Sequence, residues 1–401
     1  MPPSPAQSPT HEQPEIRPRA VTGGRIWPSW CTPYTRNMFD PTVLDTFLTL
    51  VQIDSPSGEE GAIARDLVSR LHALGCEAWT DSHGNVVGRR PGRGAGAGLP
   101  PIILSAHMDT VVPGHGVRPQ VVDGVVRSDG STILGADDKA GLTAILTALA
   151  RTMADGESSR PVELALTVQE ETGLTGAKLM DHAQFQAREA IVIDSAGPVG
   201  AIVGKGPAQD SLTFVVHGKA SHAGVSPEAG VSAIIVAANA ISGMRLGRID
   251  ATTTANLGTI EGGMATNIIP PLVTIRGEAR GIHPESLAAQ VAHMREQFES
   301  AASAAGATVE ITVTRSYDAI NLDEDTPVVQ LVQRAMRSVD VAPQMISTGG
   351  GSDANVMAGR GISVANLGFG VVGPHALDEH IAVADLNRIA DVVTAILSDL
   401  G

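Results

Sequence analysis

The sequence is poor in cysteine, in aromatic residues and in positive charge, and each shortage closes off a class of protein. Only two cysteines, Cys31 and Cys76, occur in 401 residues. Two cannot build a disulfide framework or a thiolate metal cage, so a reducing, cytoplasmic setting is expected. Aromatic residues make up 3%, and a core must therefore be assembled from Val, Ile, Leu and Ala. Lys and Arg number 28 against 43 Asp and Glu, a formal net charge of -15 with no basic stripe. Such a surface repels phosphate backbones, so no nucleic-acid partner is expected. No apolar run is long enough to cross a bilayer, so no membrane partner is expected either. The N-terminus has no basic patch followed by an apolar core, the mark of a secretory signal.

What is present suits a globular chain with a sizeable core: 43% hydrophobic and 18% charged residues. The length suggests two domains, or one large domain with an insertion. Residues 1–37 are rich in Pro, Ser, Thr and Arg without periodicity and are expected to be a disordered tail; Met38 is a candidate natural start. Asp40-Pro41-Thr42 opens a helical pattern with Val43, Phe47, Leu48 and Val51 on one face. Ser57-Gly58-Glu59-Glu60 opens a second, with Ile63, Leu67, Leu71 and Leu74 in helical spacing and Gly75 as its stop. Residues 101–104, 162–168 and 190–193 read as strands, and 141–153 as the helix between the first two. Gly92 to Pro100 reads as a flexible surface turn, because no Gly-Lys-Ser/Thr follows it. This alternation predicts an α/β layer with a largely parallel sheet. From 209 to 316 the pattern changes to strands at 211–218, 255–257, 272–279 and 309–314 with helices at 231–244 and 285–305, an inserted α+β domain. A helix at 327–339 and a strand at 363–368 then return to the first layer. The expected architecture is a discontinuous domain over 38–208 and 317–401, mostly parallel sheet flanked by helices, with the insertion between its halves.

The ends of the expected strands carry the chemistry. The first leads into His107-Met-Asp109, the second into Gln169-Glu170-Glu171, the third into Asp194, and Asp137-Asp138-Lys139 precedes the intervening helix. Open α/β sheets bind ligands at the carboxyl ends of their strands. Each piece alone has a bland explanation: a solvated turn, a helix cap, a structural histidine. Together they put many carboxylates at one rim, where they would repel unless a divalent cation supplied positive charge. His107 and Asp109, two apart in an extended segment, face the same side, so Asp109 can hold the ring nitrogen of a ligating imidazole. If Glu170 and Glu171 are extended they face opposite ways, so one can ligate while the other acts as general base. Near the C-terminus His375 and His380 compete for a further place at the rim.

These motifs resemble those of the co-catalytic zinc peptidases, the family that includes peptidase T, carboxypeptidase G and succinyl-diaminopimelate desuccinylase. The matching segments are Ser105-Ala-His107-Met-Asp109, Gly135-Ala-Asp137-Asp-Lys139, Gln169-Glu170-Glu171-Thr-Gly173, Asp194, Ser221-His222-Ala-Gly224 with Pro227, Thr266-Asn267-Ile-Ile-Pro270, Gly350-Gly-Ser-Asp353 and His375-x-x-x-Glu379. The likeness runs from about Asp40 to the C-terminus, and the segments around Asp137 and His222 look most like peptidase T. Two departures stand out: the Pro-rich N-terminal stretch, and Ser352 where the family commonly has Thr.

The resemblance implies two divalent ions bridged by Asp137, one held by His107 and Asp194 and the other by Glu171 and His375. It implies Glu170 as general base and Asp109 as the residue orienting His107. Two imidazoles and three carboxylates favour zinc, with cobalt and manganese as alternatives. It further implies that the insertion serves as lid and dimerisation domain of a homodimer. His222 would donate to the developing oxyanion in the partner's site, and Asn267 and Arg280 would bind the substrate carboxylate or backbone. His72, His83, His115, His182, His217, His283 and His293 match no motif and are expected to be structural. The expected activity is cleavage of small peptides, as a tripeptide aminopeptidase. An N-acyl amino acid amidohydrolase, a carboxypeptidase, a dipeptidase and a non-catalytic binding protein are the alternatives.

Overall fold

Ile102–His107 and Val162–Thr167 are six-residue runs in which every residue is buried, the pattern of strands covered on both faces. The computed structural model describes residues 41–153 and 157–401. The expected tail at 1–37, the Met38 start, His11 and Cys31 lie outside the described residues. In chain order the strands are β1 (Glu77–Thr80), β2 (Val86–Arg90), β3 (Ile102–His107), β4 (Gln120–Val122), β5 (Val125–Arg127), β6 (Val162–Thr167), β7 (Glu189–Ser195), β8 (Ala201–Gly206), β9 (Ala208–His217), β10 (Gly247–Arg248), β11 (Thr253–Gly262), β12 (Leu272–Gly281), β13 (Thr308–Tyr317), β14 (Ile320–Asn321), β15 (Gln344–Ser347), β16 (Ser363–Gly368), β17 (Val371–Val372) and β18 (His380–Ala382). The helices are α1 (Pro41–Val51), α2 (Gly61–Ala73), α3 (Ala136–Arg151), α4 (Thr175–Leu179), α5 (Ala233–Ser242), α6 (Pro284–Ala305), α7 (Pro327–Ser338), α8 (Asp353–Gly359) and α9 (Val383–Ser398).

Nine strands form the large sheet, in the order β1-β2-β6-β3-β7-β16-β8-β14 with β15 also beside β8. Its centre is parallel: β3 runs with β6 and β7, and β16 with β7. The carboxyl ends of these four strands therefore share one edge. Helices α1, α3, α7 and α9 cover one face, with Phe47, Leu104, Ile145, Val332 and Ile389 inaccessible or nearly so. Burying each such side chain contributes about 1.5–3 kcal/mol, which is how a chain with few aromatics assembles its core. The other face packs Ile103, Val192 and Val364 against Ala354 and Met357 of α8.

Residues 208–317 make a second, wholly antiparallel sheet in the order β10-β11-β12-β9-β13. Strand β9 alternates strictly between buried and half-buried residues, so one face meets α5 and α6 and the other is open. Phe214 stacks on Phe298 of α6 with ring centroids 4.1 Å apart. Residues 208–317 thus carry an apolar cluster of their own, entered from β8 and left into β14. A small sheet, β17-β18-β5-β4, carries the loop containing His375.

The stretch Gly92 to Pro100 differs from expectation. It holds a short 3-10 turn at Gly94–Gly98, and Gly96 is buried. A Cβ on Gly96 would sit 2.5 Å from the Ser159 carbonyl, so the glycine allows close backbone packing rather than looseness.

Candidate metal centre

His107 ends β3 at the shared edge of the parallel strands and is 2% exposed. Its Nδ1 lies 2.9 Å from the Asp109 carbonyl and 3.4 Å from the Asp109 carboxylate. The ring is thus held first by main chain. The Asp109 carboxylate, besides facing the ring, accepts the amides of Glu170 (2.9 Å) and Glu171 (3.3 Å) and the Ser57 hydroxyl (2.6 Å). Nε2 of His107 points to Asp137 Oδ1 at 3.3 Å.

Asp137 lies at the start of α3, where Gly135 is left-handed and Asp137 and Asp138 depart from helical dihedrals. The departure sends the two carboxylates different ways. Asp137 sits between two imidazoles, with His375 Nε2 3.5 Å from its second oxygen. Asp138 is fully buried and accepts the amides of His107 (3.2 Å) and Gly141 (3.0 Å). Glu379, 1% exposed, accepts the amides of Gly135 (2.7 Å) and Asp137 (3.0 Å). The loop bearing Asp137 is thereby tied to the loop bearing His375.

At the end of β6 the chain turns instead of staying extended. Gln169 has φ of 51°, so alternation does not separate Glu170 from Glu171; the turn does. Glu171 Oε1 lies 2.9 Å from His375 Nε2. Asp194, near the end of β7, exchanges main-chain hydrogen bonds with the Asn366 side chain on β16, and its Oδ2 is buried without a hydrogen-bond partner.

The electrostatics follow from this crowding. Burial first, then the neighbouring Asp194, Asp353 and Glu171 charges, hold Glu170 well above the usual carboxylate range. Burial and the Asp137 and Asp138 charges do the same to Asp194. Burial pushes Glu171 up to about 7 and Asp353 up to about 6. Its hydrogen bond to Asp137 leads in raising His375 to about 9. Burial opposes ionisation of Asp137, but its hydrogen bonds to His107 and His375 prevail and lower it. Carboxylates that repel one another at one crowded rim are stabilised by positive charge. His107, Asp137 and Glu171 each offer a ligand atom within 4.8 Å of the others. With the orphaned Asp194 oxygen, this all-nitrogen-and-oxygen donor set fits divalent cations such as zinc.

A cavity of about 470 Å³ is lined by His107, Asp137, Glu170, Glu171, Asp194 and His375, with Arg280 on its wall. His380 is not part of the lining; its Nδ1 lies 2.8 Å from the Asp378 carbonyl. Arg280 is held by Glu278 (2.9 and 3.1 Å) and donates to the Gly349 carbonyl at 3.2 Å. His222 and Asn267 lie elsewhere. Both are exposed, on neighbouring segments linked by Ala223 N donating to the Asn267 carbonyl at 2.9 Å. None of the other described histidines lines the cavity. Sequence reasoning assigned no role to Asp138, Asp353, Glu379 or Asn366. Asp138, Asp353 and Glu379 lie inside quoted motifs, whereas Asn366 becomes visible only once β16 pairs with β7.

A model of peptidase family M20/M25/M40 matches residues 103–399. The chain belongs to that family. It is a metallopeptidase, and the solved structures it resembles include enzymes of the peptidase T kind. As a family member it is 40% identical to YqjE of Bacillus subtilis, over 89% of this chain and 98% of that protein. The crystal structure of aminopeptidase PepT from Bacillus cereus superposes with a TM-score of 0.83 at 40% identity, covering 90% of this chain and 99% of that one. A tripeptidase from Staphylococcus aureus gives 0.84 at 38% identity, with the same coverages. Among the described residues, no helix of this M20 peptidase is long and apolar enough to cross a membrane.

Proposed function

We propose that the chain is a tripeptide aminopeptidase working with two divalent ions, zinc in first place, in the cavity at the ends of β3, β6 and β7. The observation that carries the reading is the convergence of His107, Asp137 and Glu171 within 4.8 Å, in a chain 40% and 38% identical to an aminopeptidase and a tripeptidase. Asp137 would bridge the ions, His107 and Asp194 would hold one, and Glu171 and His375 the other. When bound, the ions would acidify a water and polarise the scissile carbonyl.

The protein's own groups do the rest. Burial raises the pKa of Glu170, and positive charge beside it would favour the ionised form. It would then take a proton from the attacking water and return it to the leaving amine. Asp109 fixes the main chain of Glu170 and Glu171. Arg280, a fork pre-set by Glu278, would receive the substrate's carboxylate, and Asn267, which lies outside this chain's cavity, would contact the backbone of a substrate in a partner subunit.

Residues 209–316 would act as a lid and dimerisation domain beside the catalytic segments 38–208 and 317–401. Exposed apolar side chains support this: Ile234 and Ile235 on α5, Ile260 on β11, and Val225 and Met264, at 76% and 78% exposure, near His222 and Asn267. In a homodimer His222 would reach the partner's cavity and donate to the oxyanion. Two cysteines and no disulfide framework are in keeping with a cytoplasmic setting.

The test is a panel of unblocked tripeptides, dipeptides and N-acyl amino acids, with and without chelator. Chelator-sensitive release of the N-terminal residue from tripeptides is the expected result. Activity confined to N-blocked substrates would overturn the aminopeptidase reading and leave the hydrolase.

A further inference from the structure

The turn carrying Glu170 is held by more than Asp109. Three successive amides, of Gln169, Glu170 and Glu171, all end on buried carboxylates. Asp109 accepts the second and third. Glu60 accepts the first at 3.0 Å, and the same oxygen accepts the Gly58 amide at 2.8 Å.

Glu60 is 5% exposed, although its place before α2 reads in the sequence as a helix start. It does not line the cavity. Its own segment is fastened to the His107 strand: Ser55 Oγ donates to the Met108 carbonyl at 2.8 Å, Thr110 N donates to Ser55 O at 3.0 Å, and Ser57 Oγ donates to Asp109. Glu60 and Asp109 therefore form one rigid bracket, 109 and 61 residues before the amides they grip.

We infer that Glu60 is a positioning residue for the general base, acting by holding Gln169 in the left-handed conformation that aims Glu170 into the cavity. A non-glycine residue at φ of 51° persists only where its surroundings impose it. The amide hydrogen bond of Gln169 is what Glu60 supplies. Without that acceptor the Val168–Gln169 peptide is released and Gln169 can relax toward ordinary dihedrals, shifting the approach to Glu170 against the hold of Asp109 on the next two amides. The ligands His107, Asp137, Asp194 and His375 take no hydrogen bond from Glu60, and the amide of Glu171, the ligand within the turn, is held by Asp109, so metal uptake should survive its loss. The inference rests on Glu170 being the base.

The experiment compares Glu60→Met, which keeps the stem and removes the acceptor, with Glu60→Gln, whose amide oxygen still accepts. Glu170→Ala runs in parallel. In metal-loaded protein, E60M should lower kcat by about 10- to 100-fold, the effect of misplacing a reacting group by a fraction of an ångström to an ångström. Its KM should stay within about threefold and its bound metal unchanged, and E60Q should recover most of kcat. An E60M enzyme with wild-type kcat overturns the inference. So does one that loses metal or fails to fold, because Glu60 would then serve the ions or the scaffold. Retained turnover in Glu170→Ala would instead break the base assignment, a separate failure.

Discussion

Glu170 and Asp194 are both half-buried carboxylates at the cavity, yet they are surrounded for different work. Glu170 is tied through its main chain and leaves its side chain at the cavity; Asp194 presents an oxygen with no protein partner. Glu170→Ala is therefore predicted to retain metal and to lose turnover by about 10²–10⁴-fold, the usual weight of a general base. Metal analysis and kcat on one preparation check this. Asp194→Asn is predicted to do the reverse to the empty protein. It removes a repelling charge, so thermal stability without metal should hold or rise, while bound metal falls. Calorimetry of chelated protein alongside metal analysis tests both halves; a destabilised empty variant would mean that Asp194 serves the scaffold.

At the scale of elements, the start of α3 shows local rules overridden for the sake of the site. Gly141 lies in a helix, where Ala ordinarily stabilises by up to about 1 kcal/mol. Here an added Cβ would meet the Asp138 carboxylate at 2.3 Å and the Ile193 carbonyl at 2.8 Å. Gly141→Ala is predicted to destabilise by about 1–3 kcal/mol, read as a lower urea midpoint at unchanged slope. The same helix marks the limit of what sequence conveys. Helical periodicity begins at about Gly141, whereas the element begins at Ala136 with two non-helical aspartates inside it. Strand Ser363–Gly368 is legible from Val364, Ala365 and Leu367, with Gly368 and Gly370 marking its end. The β1–β2 hairpin escapes because Glu77–Thr80 has little apolar alternation and gains its place only by pairing. Residues at strand ends could be gathered into one rim from sequence, and four of them, His107, Glu170, Glu171 and Asp194, line one cavity together with Asp137 and His375. The carboxylates behind that rim could not, because Glu60, Asp138 and Glu379 act on main-chain amides, which carry no residue signature.

For the whole molecule, the crowded rim sets how stability should respond to pH when metal is removed. Glu171 rises from 4.5 to about 7 on folding, so between those values the folded chain binds more protons than the unfolded one and stability falls as pH rises. His375 rises from 6.5 to about 9; its contribution is full below 6.5 and is lost as pH climbs through about 9. The two slopes share a sign. Chelated protein should lose thermal midpoint steadily from pH 4.5 to 9, by on the order of a few degrees given its length and the half exposure of His375. Added divalent metal should restore the midpoint most at the alkaline end, since its ligands bind deprotonated. Scans of chelated and loaded protein across that range decide it.

The most direct test is the metal content of purified protein, measured by elemental analysis after incubation with zinc and exhaustive dialysis. The account predicts two equivalents per chain, falling sharply in Asp137→Asn, whose carboxylate stands between His107 and His375. Protein that retains no divalent ion, or that holds two equally well without the Asp137 carboxylate, would contradict it.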